Sequence, residues 1–194
     1  MKQNPIERNA QRKTTAFDFG TFEGFNFRNQ SAILRPLTTD DVINWDHDRD
    51  GEAEFWPSGD KPEVQLLFKI RSSVTASEIV QLDNLLQELG DDSTECYLRI
   101  FYALNVQGAK LETLGARDIE SQNLDLFTGD SFLDLRKDVA YEFFELCYPE
   151  EYKVWEKSTC DGLIFDPDTF LDSPSFYAEE VTIGSQKWLL ISRE

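Results

Sequence analysis

The sequence predicts an α+β fold: a single domain with one mixed, mostly antiparallel sheet of about five to seven strands and three or four helices packed on it. Three stretches carry that expectation. "EVQLLFKIR" at 63–71 sets Val64, Leu66, Phe68 and Ile70 against Gln65, Lys69 and Arg71, the period of a half-buried strand, with Leu67 out of step. "TASEIVQLDNLLQELG" at 75–90 repeats Ile79, Leu82, Leu86 and Leu89 at helical spacing. "TECYLRIFYALNV" at 94–106 is apolar on both faces, as a central strand would be. Together they read as a strand–helix–strand spine whose crossover is right-handed if the strands are parallel neighbours.

The other elements follow in chain order. Residues 1–15 are polar and aperiodic, and read as a flexible basic tail ahead of a domain spanning 16–194. "AFDFGTFEGFNFRN" alternates Phe17 and Phe19, then Phe25 and Phe27, with Gly20 and Gly24 between them, so two short strands and a turn are expected. "SAILRPL" is a third short run, confined by Pro36 to an edge or an end. "TTDDVINW" has the cap and acidic first turn of a short helix. "EFWPSGDKP" is a turn-rich connection.

Thr75 and Glu78 have capping-box spacing, and Gly90 is placed to end the helix they open. Residues 107–130 read as a long connection with one short element. A helix then opens at Asp130 with an apolar stripe of Phe132, Leu135, Val139, Phe143 and Leu146. Pro149 breaks it and starts another helix, "PEEYKVWEKS". "GLIF" reads as a short buried strand and "DPDTFLDSP" as a turn region. The last segment is a hairpin about Gly184-Ser185, which suits a Gly-first turn.

Composition bounds the function. The 194 residues contain 37 acidic and 19 basic side chains, a net charge of −18. The first 13 residues carry Lys2, Arg8, Arg12 and Lys13 against Glu7, so they are at +3 and the remainder is at −21. Such a body repels nucleic acid and anionic membranes and attracts a basic protein surface. There is no apolar run near the roughly 18 residues of a membrane span and no apolar core of a secretory signal, so the expected localisation is cytoplasmic. Three cysteines, Cys96, Cys147 and Cys160, with no C-x-x-C spacing suit reduced, core-filling thiols.

Catalytic patterns are sparse. The single histidine, His47, stands between two aspartates that favour its charged form. A zinc site from His47 and the three cysteines lacks a C-x-x-C nucleus. "FGTFEG" lacks the Lys-Ser/Thr of a phosphate-binding loop, and the Glu-x-Lys at 151–153 has no paired strand Asp. Asp166, Asp168 and Asp172 are the candidates for a carboxylate- or magnesium-dependent enzyme; they suit a capped turn better.

One motif resembles a calcium loop in its spacing. "DHDRDGEAEF" puts Asp46, Asp48 and Asp50 at the first, third and fifth ligand positions, with Gly51 at the sharp turn and Glu52 at the seventh. The twelfth position is Pro57 instead of a bidentate Glu, so this is no EF-hand; a looser calcium loop is the alternative to an Asp-rich turn.

The main functional expectation is therefore a non-enzymatic acidic interaction protein of inhibitor, immunity or adaptor type. Its partner is a basic protein, with a nucleic-acid-binding protein as the case in which the acids imitate nucleic-acid charge. No cofactor is expected outside the calcium alternative. The candidate partner-binding residues are Asp134, Asp138, Glu142, Glu145, Glu150 and Glu151, with Arg136 and Lys137 interrupting them. Trp56, Trp155 and Tyr152 are candidate aromatic anchors, while Trp45 and Trp188 suit the core.

Overall fold

The computed structural model describes residues 22–26, 31–33, 42–44, 54–57, 62–68, 74–158 and 165–193. The chain divides into two compact units, Met1–Asp92 with Ala109–Ala116, and Ser93–Gly108 with Arg117–Glu194. The 1–15 tail and the 46–52 acidic loop lie outside the described residues.

The first unit contains four short strands, β1 (Phe22–Asn26), β2 (Ser31–Ile33), β3 (Glu54–Pro57) and β4 (Val74–Thr75), all antiparallel in the order β2-β1-β3-β4. Gly24 was expected to punctuate a turn. It lies inside β1, opposite Ile33 on one side and Phe55 on the other. The supposed connection at 54–57 is the strand β3.

Residues 63–71 were expected to form the clearest strand. Instead Pro62–Leu67 is a helix, α1. Leu67 is the reason: it falls on the polar side of a strand, yet it is buried with Val64, Leu66 and Phe68. The spacing of 64, 67 and 68 is helical, and Pro62 suits a first helical turn. Helix α2 (Ala76–Leu89) has the full capping box: Thr75 Oγ1 accepts from Glu78 N–H at 3.3 Å, and Thr75 N–H donates to Glu78 Oε2 at 3.1 Å. Gly90 caps its end at φ 64°, a left-handed conformation that costs glycine little. Ile79, Leu82, Leu85 and Leu86 form its buried face, and a 3-10 turn at Leu111–Thr113 lies against it.

The second unit is built on a three-stranded antiparallel sheet of order β5-β7-β6, comprising β5 (Leu124–Gly129), β6 (Phe176–Ile183) and β7 (Gln186–Arg193). The β6–β7 hairpin closes through Gly184-Ser185, with Ile183 opposite Gln186 and Gly184 at φ 60°. Its odd-numbered residues Leu189 and Ile191 share a face with Phe127 and Ala178, and α5 (Phe132–Cys147) packs there through Leu135, Val139, Ala140 and Phe143. Trp188 and Leu190 are buried on the other face, which also carries Tyr177. Tyr102 of α3 (Thr94–Asn105) meets Tyr177 edge-on at 5.9 Å.

Residues 94–105 thus form α3, where a central strand was expected over 94–106. Ser93 caps the helix by accepting from Cys96 N–H at 3.2 Å, and Tyr97, Leu98, Phe101 and Tyr102 are buried. Its aromatic and β-branched side chains favour a strand intrinsically, but burial around most of the helix overrides that weak preference. With Pro62–Leu67 and Thr94–Asn105 both helical, the strand–helix–strand spine is gone. The expected single mixed sheet of five to seven strands is replaced by a small three-stranded antiparallel sheet and the separate short pairings of the first unit. The fold is α+β, with more of its length helical than the sequence patterns implied.

The second unit also has α4 (Ala116–Glu120), α6 (Pro149–Lys157) and α7 (Pro167–Leu171). Strand β5 and helix α4 occupy what was expected to be a long connection. The "DPDTFLDSP" turn region contains α7, capped by Asp166.

Candidate functional site

Helix α5 sorts its side chains by angle. At 3.6 residues per turn, Asp134, Asp138, Glu142 and Glu145 lie within about 80° of one another. All four are exposed, on a sector centred about 100° round the helix from the buried Leu135, Val139 and Phe143. The sequence requires this arrangement: the apolar stripe must face the sheet, and the i,i+4 acids are left to solvent. Ser131 caps the helix N-terminus, accepting from Asp134 N–H at 3.5 Å.

Glu150 and Glu151 continue the acidic surface at the first turn of α6, where the helix dipole favours them. They differ in one respect. Glu150 Oε1 accepts from Lys153 Nζ at 2.9 Å, so its charge is partly met within its own helix. All six predicted partner-binding acids are exposed on the α5–α6 segment. Arg136, which interrupts them in sequence, points elsewhere. Its guanidinium donates through Nε to Asp168 Oδ1 at 2.8 Å and through Nη2 to Asp172 Oδ1 at 2.7 Å, with Glu180 at 3.5 Å. Burial works against its charge, but the two aspartates outweigh burial and raise its pKa.

The same contacts fix the carboxylates proposed for an enzyme. Asp168 and Asp172 hold Arg136. Asp166 accepts from Thr169 Oγ1 at 2.7 Å and from the Asp168 and Thr169 amides, and these Thr169 and backbone bonds lower its pKa. Among the described residues no group of three or more His, Cys, Asp or Glu is arranged to hold a metal. The calcium candidates Asp46, Asp48, Asp50 and Glu52, together with His47 and Cys160, lie outside the described residues. Cys96 is buried as expected of a core thiol, but Cys147 is exposed at the end of α5. No described helix is long and apolar enough to cross a membrane.

A second feature adjoins the acids. Tyr141, Phe144 and Tyr148 occupy the neighbouring sector of α5 and its junction with α6, and meet Tyr152 and Trp155 of α6. Tyr141–Trp155, Phe144–Tyr152 and Tyr152–Trp155 have ring centroids 5.3, 5.6 and 5.7 Å apart. Phe144 also stacks on Phe165 at 4.5 Å with planes 7° apart. None of these rings is fully buried, and Tyr148 is 42% exposed. Tyr152 and Trp155 were suspected as anchors; Tyr141, Phe144 and Tyr148 were missed. Their spacing at 141, 144 and 148 is itself helical, and was hidden beside the stronger stripe ending at Phe143 and Leu146. Leu146 is 63% exposed, so the core stripe of α5 stops at Phe143.

No family model matches the chain, and no curated protein or solved structure matches it.

Proposed function

We propose that this protein is a cytoplasmic, non-enzymatic interaction module that engages a basic protein surface through the acidic face of α5 and α6. The observation that carries the reading is the stripe of Asp134, Asp138, Glu142 and Glu145, all exposed and flanking the core-facing side of α5. Acids at i,i+4 repel one another and weaken a helix slightly, so the stripe is a local cost with no folding return. A chain at −18 adds a long-range field that draws in cationic partners and repels nucleic acid. A nucleic-acid-binding protein fits best among basic partners, because its phosphate-contacting lysines and arginines match a row of carboxylates.

The test is fluorescence anisotropy of a labelled peptide of mixed lysine and arginine, titrated with the protein at rising salt. Binding should weaken steeply, by about tenfold or more between 50 and 200 mM salt. A variant with Asp134→Asn, Asp138→Asn, Glu142→Gln and Glu145→Gln should lose most of it. Affinity that ignores salt, or survives the four substitutions, would sink the proposal.

A further inference from the structure

We infer that the aromatic platform of Tyr141, Phe144, Tyr148, Tyr152 and Trp155, edged by Glu145 and Glu156, receives an arginine side chain of the basic protein partner. This rests on the interaction reading above and names the chemistry of its anchor.

The platform is not part of the buried cluster that joins α5 to the sheet, but it borders it: Phe144 stacks on Phe165 at 4.5 Å and Tyr148 lies 6.1 Å from Phe170, and both phenylalanines pack against that cluster. That cluster uses Leu135, Val139, Ala140 and Phe143 with Leu189 and Ile191. The platform rings lie one sector round the helix and remain partly exposed. A contiguous, partly exposed group of Tyr, Trp and Phe is the composition of an interface hot spot. Tyrosine and tryptophan give large contact area with little rotamer entropy to lose.

The surrounding charge selects the occupant. Glu145 stands one helical turn after Tyr141 on α5 and Glu156 one turn after Tyr152 on α6, and both are exposed. In keeping with that placement, the Tyr152 phenol pKa is raised, first by local burial and then by the fields of the two glutamates. Among the described residues, the hydroxyls of Tyr141, Tyr148 and Tyr152 make no hydrogen bond, and no cation stands over these five rings. Elsewhere in this unit rings do take cations: Arg193 lies over Phe143 at 5.3 Å and Lys187 over Phe132 at 5.5 Å. An aromatic face with carboxylates at its edge offers a guanidinium both of its preferred contacts, ring stacking across its plane and charged hydrogen bonds around its rim. A lysine ammonium is a strongly hydrated point charge and gains less from the rings.

The experiment compares nona-arginine and nona-lysine peptides of equal charge by anisotropy against the intact protein at physiological salt. Arginine should bind about fivefold tighter. Tyr152→Leu with Trp155→Leu should remove that preference, whereas Asp138→Asn with Glu142→Gln should weaken both peptides and leave the ratio in place. Tyr148→Leu, at the most exposed ring, should shrink the ratio with less loss of packing than the double variant, and thermal melting of each variant checks that it is folded. Equal affinity for the two peptides, or a preference that survives both aromatic variants, overturns the platform while leaving the acidic face standing. Failure of both peptides to bind overturns the interaction reading and the platform together.

Discussion

Arg136 Nη2 lies 2.7 Å from Asp172 Oδ1, and the same guanidinium reaches Asp168 at 2.8 Å. One side chain on α5 thereby fastens α7, which starts more than 30 residues later, and extends towards Glu180 on β6. The guanidinium side chain is 15% exposed while the two aspartates are 61% and 67% exposed. The clamp is therefore a half-solvated network with its cation at the centre.

Removing that cation leaves three carboxylates facing one another. Arg136→Leu should destabilise the second unit by about 1–2 kcal/mol, a value already discounted for the exposure of the aspartates. Arg136→Lys keeps the charge but loses the two-pronged geometry, and should fall between the two. Urea unfolding would show it. Equal midpoints for wild type and Arg136→Leu would mean that the clamp holds nothing.

The acidic stripe makes the opposite prediction. Asp138 has acids four residues away on either side, at Asp134 and Glu142. Asp138→Lys turns both repulsions into attractions and should stabilise the fold by about 0.5 kcal/mol, a rise in Tm of about 1–2 °C. The same variant should bind a basic peptide several-fold more weakly. Gain of stability with loss of binding is the signature of a surface kept for a partner; a variant that binds as tightly as wild type would argue against the stripe.

Tyr177 gives the pH dependence. Burial, then the hydrogen bond and charge of Glu179 and the neighbouring Tyr102, push its phenol up to about 12 from an ordinary 10.0. Its folded-state pKa is raised and its protonated form is the favoured one. The stabilisation is therefore complete below about pH 10 and is lost as the pH climbs through about 12. Titration of tyrosinate absorbance should show a component ionising at about 12 that is absent in Tyr177→Phe. Six tyrosines titrating together near the ordinary value would contradict it.

Phe143 anchors α5 to the sheet, with Phe127 and Phe176 edge-on or tilted at 6.0 and 5.4 Å. Phe143→Ala should cost about 3–5 kcal/mol, because the rings around it belong to different elements and cannot close the cavity together. Tyr148→Leu, on an exposed ring, should cost under about 1 kcal/mol. Thermal melts of the two would separate core from platform, and similar losses would merge them.

The acidic half of the candidate site was legible in the sequence, because a row of acids beside an apolar stripe follows from one helical period. The aromatic half was only partly so. Tyr152 and Trp155 stood out by type, but Tyr141, Phe144 and Tyr148 join them only when α6 folds back beside α5, and no local pattern states that angle.

What the sequence alone determined was everything governed by neighbours within about one helical turn: the Thr75–Glu78 capping box, the Gly90 cap, the Pro149 break between α5 and α6, and the Gly184-Ser185 hairpin. Each rests on backbone donors, acceptors or φ values that nearby residues satisfy. Tertiary structure alone decided the rest. Residues 62–67 and 94–105 are helices because they are buried around much of their circumference, and a segment apolar on most sides fits either period. The pairing of β5 with β7 and the reach of Arg136 to Asp168 and Asp172 join residues far apart in sequence, where only packing brings the partners together.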